Sequence, residues 1–159
     1  MTTLTADEIR SRVETDWNRI VKVLAEKVAL QSISAKGITA EHMKRSAEFV
    51  ADELRLVGVD AKVVQASNAD GTPGAWEVIG SHIVSPDAPT VLLYAHHDVQ
   101  PVPDPAEWNT DPFVGTEIDT RLYGRGAADD GGGIAIHSGA LKALEDDLKV
   151  NIKVFIEGE

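Results

Sequence analysis

The apolar run Val91-Leu92-Leu93-Tyr94-Ala95 breaks at once into His96-His97-Asp98. The run is β-prone and does not alternate strictly, so it reads as a strand buried on both faces of a sheet. Its polar residues fall at the carboxyl end, where open α/β sheets place their ligands. Strand alternation puts His96 and Asp98 on one face and His97 on the other. A metal-ligating imidazole usually donates its second ring N–H to a carboxylate, which fixes the tautomer. On that reading His96 is a ligand and Asp98 the carboxylate that orients it. The alternative is a strand that simply leaves the sheet through a polar turn, begun by Asp98 and stiffened by Pro101 and Pro103.

A second unusual stretch runs from Leu122 through Tyr123, Gly124, Arg125 and Gly126 to Asp129 and Asp130, followed by Gly131, Gly132 and Gly133. An apolar helical pattern begins there. Aspartate is a favoured N-cap and complements the positive end of the helix dipole, which accounts for one carboxylate and not for two. Each glycine costs about 1 kcal/mol against alanine in a helix interior, so three together call for a close approach of backbone to something bound. A nucleotide site is a poor fit. The phosphate fingerprint G-x-G-x-x-G, begun by Gly124 and Gly126, needs its third glycine where Asp129 stands, and paired carboxylates repel an anion.

Around these stretches the chain reads as one α/β domain of 159 residues, with 43% hydrophobic residues to build a core. Thr5 and Glu8 form a capping box for an amphipathic helix reaching about Leu30, whose stripe includes Trp17 and whose charges form a solvated face. Thr39 is expected to cap a second helix that Gly58 stops. Val59 to Gln65 and Trp76 to Val84 read as strands joined by a turn rich in Asn, Asp, Gly and Pro. A helix from about Gly133 to Asp147 leads to a last strand, Val150 to Ile156. His82 reads as structural, His137 as packed on the apolar side of its helix and His42 as a surface residue. The expected architecture is α/β, a central, mostly parallel mixed sheet with helices on both faces.

Composition narrows the chemistry. There is no cysteine, hence no disulfide framework and no thiolate ligand, so any metal must be held by histidine and carboxylates. A net charge of -11 argues against nucleic acid or an anionic membrane as partner. Neither a signal peptide nor a membrane-spanning run is visible, and a cytoplasmic location is the expectation.

The set H-x-D-V-x-P from His96, W-x-x-D-P-F from Trp108, L-Y-G-R-G-A-x-D-D from Leu122 and a closing E-G-E at Glu157 to Glu159 resembles the co-catalytic zinc metallopeptidase family. That family includes aminoacylases, carnosinase-like dipeptidases, succinyl-diaminopimelate desuccinylases and carboxypeptidase G. The resemblance covers about residues 40 to 159 and implies the N-terminal portion of a catalytic domain, the remainder and a lid domain lying outside residues 1–159. It makes His96 and Asp129 metal ligands, Asp129 the bridging one. Asp98 becomes the catalytic-site carboxylate behind His96, and Asp130 follows Asp129 across a cis peptide bond. It implies two divalent metal ions, zinc foremost with cobalt or manganese possible, and a small peptide or N-acyl amino acid as substrate. It also implies a homodimer formed through the lid. Gln100 resembles the dipeptidase branch, with N-acyl-amino-acid deacylation as the alternative and a metal-free scaffold piece as the third reading.

Two departures stand out. Gly131 replaces the family's usual lysine, removing a positive charge from the site. In the family's closing motif, E-G-x-E-E, Glu159 takes the variable place, so the general base falls beyond it and residues 1–159 alone are expected to be inactive.

Overall fold

The computed structural model describes residues 4–159. Its first helix, α1 (Ala6–Ala29), opens with the expected capping box: Thr5 accepts from the Glu8 N–H while the Glu8 carboxylate takes the Thr5 N–H at 2.7 Å. Helix α2 (Glu41–Leu56) is capped by Ala40 without a side-chain bond, so Thr39 does not do the job assigned to it. Gly58, at φ +88°, turns the chain out of α2 as expected, and the Val59 N–H closes back on the Leu54 carbonyl at 3.0 Å.

Strands β1 (Asp60–Ser67) and β2 (Pro73–His82) form an antiparallel hairpin, and β3 (Thr90–His96) follows. A two-stranded ribbon, β4 (Thr116–Ile118) and β5 (Arg121–Tyr123), precedes α3 (Gly131–Leu144) and β6 (Asn151–Glu157). The main sheet has the order β1-β2-β6-β3. The chain is α/β with a mixed sheet flanked by helices, as the pattern of elements predicts. Two details of that expectation change.

The first is strand direction. Only β3 and β6 run parallel, joined through α3; β1 with β2 and β2 with β6 are antiparallel. A five-residue turn between β1 and β2 permits nothing else. The second is the helical cover. Ala47, Val50 and Leu54 of α2 and Ile134 and Leu141 of α3 pack in one cluster with Ala61, Val78, Ala95, Ile152, Val154 and Ile156, all from one sheet face. Burying each of the larger aliphatic side chains is worth about 1.5–3 kcal/mol. The opposite face, among the described residues, carries no helix. Leu92 is 62% exposed and Tyr94 50%, so β3 is an edge strand open on that side rather than one buried on both.

Helix α1 lies on α3 and is tied to both other helices by Arg19. Its guanidinium meets Glu53 of α2, donates to Ser138 of α3 at 3.1 Å and grips Asp16 at 2.6–2.9 Å. Trp17, placed in the core by its spacing, is 55% exposed. Lys27, placed on the solvated face, is 3% exposed.

Candidate metal centre

The open face of the sheet leads directly to the polar end of β3. His96 pairs in register with Glu157 of β6, and the ladder continues one step as the His97 N–H donates to the Glu157 carbonyl at 2.8 Å. Beyond it the Val99 N–H donates to the Ser32 carbonyl at 2.8 Å, which keeps residues 97–99 extended after the strand proper has ended. Alternation therefore persists. His96 and Asp98 share a face, and His96 Nδ1 stands 2.9 Å from Asp98 Oδ1. A carboxylate oxygen only accepts, so Nδ1 carries a proton and points it at Asp98. Asp98 is 7% exposed and fixed.

Asp129 approaches from the turn before α3. Its Oδ1 lies 3.1 Å from His96 Nε2, while its side chain is otherwise 86% exposed. Asp130, across the expected cis peptide bond, has different work. It caps α3 by accepting from the Gly133 N–H at 3.1 Å and takes the His96 backbone N–H at 3.3 Å. One aspartate is thus structural and its neighbour is free. The supporting loop is held from Trp108, over whose ring the Arg125 guanidinium lies at 5.3 Å, and from Pro112, whose carbonyl accepts from the Arg125 N–H at 2.6 Å.

The three glycines have an explanation other than a bound group. A Cβ at Gly133 would stand 2.3 Å from the Asp130 carboxylate, one at Gly132 2.9 Å from the Ala127 carbonyl oxygen, and one at Gly131 2.7 Å from that of Gly126. The close approach is to the chain's own turn, which must fold tightly under α3 to present Asp129.

His97 faces the interior, wholly buried. Its Nε2–H donates to the Trp76 carbonyl at 2.7 Å and its Nδ1 accepts from Ser46 at 3.2 Å. Burial pushes it down to about 4, so it is neutral at ordinary pH. His96 is opposite in sense. Its partial burial favours the neutral ring, but the hydrogen bond that Nε2–H donates to Asp129 and the Asp98 charge together outweigh that and raise it above its usual value. Glu157 accepts from the Tyr94 hydroxyl, a bond that drives the phenol up to about 12, and its charge together with burial raises Glu77. Of the other histidines, His82 contacts the Gly58 carbonyl and His137 that of Tyr94, while His42, read as a surface residue, is half-buried and contacts the Ile33 carbonyl.

An imidazole nitrogen and a carboxylate oxygen converging on one point, with the imidazole's other nitrogen held by a second carboxylate, is a donor set that suits zinc and similar divalent ions. It is two ligands, where a catalytic zinc takes three from protein. Among the described residues no group of three or more His, Asp or Glu gathers closely enough to enclose an ion. Lys27 was missed by sequence reasoning, although a lysine three residues after Leu24 and one before Val28 sits on the apolar stripe. The positive charge that Gly131 withholds is present after all, supplied from α1.

The model of peptidase family M20/M25/M40 matches residues 92–159. The cysteinylglycine-S-conjugate dipeptidase of Corynebacterium striatum is 35% identical over 143 residues, covering 88% of this chain and 30% of that protein. The Beta-Ala-His dipeptidase of Homo sapiens is 33% identical over 162 residues, covering 96% and 32%. Human carnosine dipeptidase 1 superposes with a TM-score of 0.84 at 31% identity, over 96% of this chain and 34% of that one. The chain therefore spans about a third of the length of the curated relatives it matches. Motif order, identity and fold agree: the chain is similar to members of peptidase family M20/M25/M40 along about a third of their length, with residues 92–159 matching the family model.

Proposed function

We propose that residues 1–159 are the N-terminal portion of the catalytic domain of a metal-dependent dipeptidase, with the rest of that domain and a lid domain contributed by further polypeptide. The observation that carries this reading is His96 Nε2 opposed to Asp129 Oδ1 at 3.1 Å, with Nδ1 secured by Asp98 at 2.9 Å. His96 and Asp129 would hold the metal. Zinc would be the first choice, and cobalt or manganese would satisfy the same donors. Bound there, such ions supply Lewis acidity, which activates water and polarises an amide carbonyl. Asp98 accepts from Nδ1–H, which leaves Nε2 as the ring nitrogen that would take a metal in place of a proton. Asp130 fixes the strand end against the α3 N-terminus. The general base and remaining ligands are not among these residues, and a dimer through the lid would belong to the whole protein.

The relatives named as dipeptidases support a small peptide as substrate of that whole protein. The test uses the chain itself. Titration with Co2+ followed by NMR should broaden the His96 ring and the Asp129 methylene first, weakly and without turnover of any dipeptide. Loss of that response in His96→Ala agrees with the reading. Catalysis by residues 1–159 alone, or Co2+ effects confined to other histidines, would overturn it.

A further inference from the structure

Lys27 is the least expected side chain in the molecule. It is 3% exposed, belongs to no ion pair within 4 Å among the described residues, and donates to Ser32 Oγ at 2.9 Å. Ser32 passes that bond on, donating to the His97 carbonyl at 2.6 Å. That carbonyl lies between His96 and Asp98. Burial pulls the ammonium down to about 8, and the charge that opposes this is Asp98. A buried ammonium is costly unless something uses it.

The path of its stem is equally specific. A Cβ at Gly131 would lie 3.4 Å from Lys27 Cγ and 3.1 Å from Leu24 Cδ1, besides colliding with the Gly126 carbonyl. The Lys27 stem thus runs in ordinary van der Waals contact beneath the α3 N-terminus, under the turn that carries Asp129, while the Gly126 carbonyl is what excludes a side chain at Gly131.

We propose that Lys27 is a positioning residue of the metal centre: through Ser32 it anchors the 97–98 peptide, and with its charge it balances buried Asp98, so that Asp98 holds His96 Nε2 toward Asp129. This rests on the metal-binding reading above, and the signs separate it from simple electrostatics. Deleting a nearby positive charge by itself strengthens binding of a cation. Deleting an anchor weakens it. A loss of affinity on removing Lys27 is therefore a signature of positioning.

The experiment uses purified residues 1–159 with Lys27→Met, which keeps the stem and removes the charge, and Ser32→Ala, which keeps the charge and cuts the relay. Ring 15N shifts of His96 report its tautomer without metal, and Co2+ titration reports affinity. With pH held above the His96 titration, wild type should show the Nδ1–H form; both variants should show a mixture of tautomers and bind Co2+ about tenfold more weakly, the low end of what outer partners of a metal ligand contribute. The thermal midpoint of Lys27→Met should not fall, because an apolar side chain replaces a buried charge. An unchanged tautomer, or Co2+ bound as tightly or more tightly by Lys27→Met, overturns the proposal. Should Lys27→Met fail to fold, Ser32→Ala decides on the same two readouts. If wild type binds no Co2+, the metal reading fails, while the tautomer comparison still decides the role of Lys27.

Discussion

His97 should make this fold acid-sensitive over a defined range. It is inaccessible and neutral, donating to the Trp76 carbonyl and accepting from Ser46. A histidine that titrates near 6.5 when unfolded and at about 4 when folded binds its proton more readily in the unfolded chain. Its contribution is complete above pH 6.5 and is lost as pH falls toward 4. The slope approaches ~1.4 kcal/mol per pH unit for one proton, so the whole window is worth about 3 kcal/mol. His96 has the reverse sign, since a raised value adds stability at low pH that fades as pH rises, so a comparison must isolate His97. His97→Gln does this by keeping an N–H for the Trp76 carbonyl while removing the titration. Urea melts from pH 7 to pH 4 should show wild type ahead at neutral pH, by about 1–3 kcal/mol for the disturbed buried hydrogen bonds. The two curves should converge as acid removes the wild-type advantage. Parallel curves across the window would refute the argument.

Gly158→Ala would place a Cβ 2.4 Å from the Trp76 carbonyl oxygen and 2.8 Å from His97 Nε2. It should lower stability by about 1–3 kcal/mol in denaturant melts. Met43→Ala empties a site with 0% exposure in the first turn of α2 and should cost about 2–5 kcal/mol by thermal or urea unfolding. Asp98→Asn keeps the shape but lets an amide face His96 Nδ1, so Co2+ affinity measured by titration should fall about 10–100-fold with the fold intact by circular dichroism.

What the sequence disclosed follows physical locality. The capping box at Thr5 and Glu8, the stop at Gly58, the β1–β2 turn and the shared face of His96 and Asp98 depend on residues a few positions apart, and each appears as expected. The His96–Asp129 encounter spans 33 positions and was legible only through the motif resemblance; no periodicity could supply it. Trp17 and Lys27 show why a helical stripe misleads. Helix α1 packs on α3 and not on the sheet, so which of its residues are covered depends on a neighbour more than a hundred positions away. The glycines after Asp130 were correctly read as a close approach and assigned to the wrong partner, because a sequence does not distinguish a ligand from the chain's own carbonyls.

The two open features of the molecule belong together. Asp129 is exposed except toward His96, and the sheet face bearing Leu92 and Tyr94 runs to the same strand end. A dinuclear hydrolytic centre acts in a shaped cavity from which bulk water is largely excluded. The wall around His96 is rigid: Asp98 is buried, His97 is locked and Asp130 is committed to the α3 cap. The side that stands open is the bare face of β3. Under the function proposed above, covering that face and supplying further ligands would be one structural task, since polypeptide laid along Leu92 and Tyr94 would arrive beside His96. A complementary fragment that binds this chain should accordingly bury Tyr94 and tighten Co2+ binding in the same titration. A fragment that shields Tyr94 without changing the metal affinity would separate the two and break the argument.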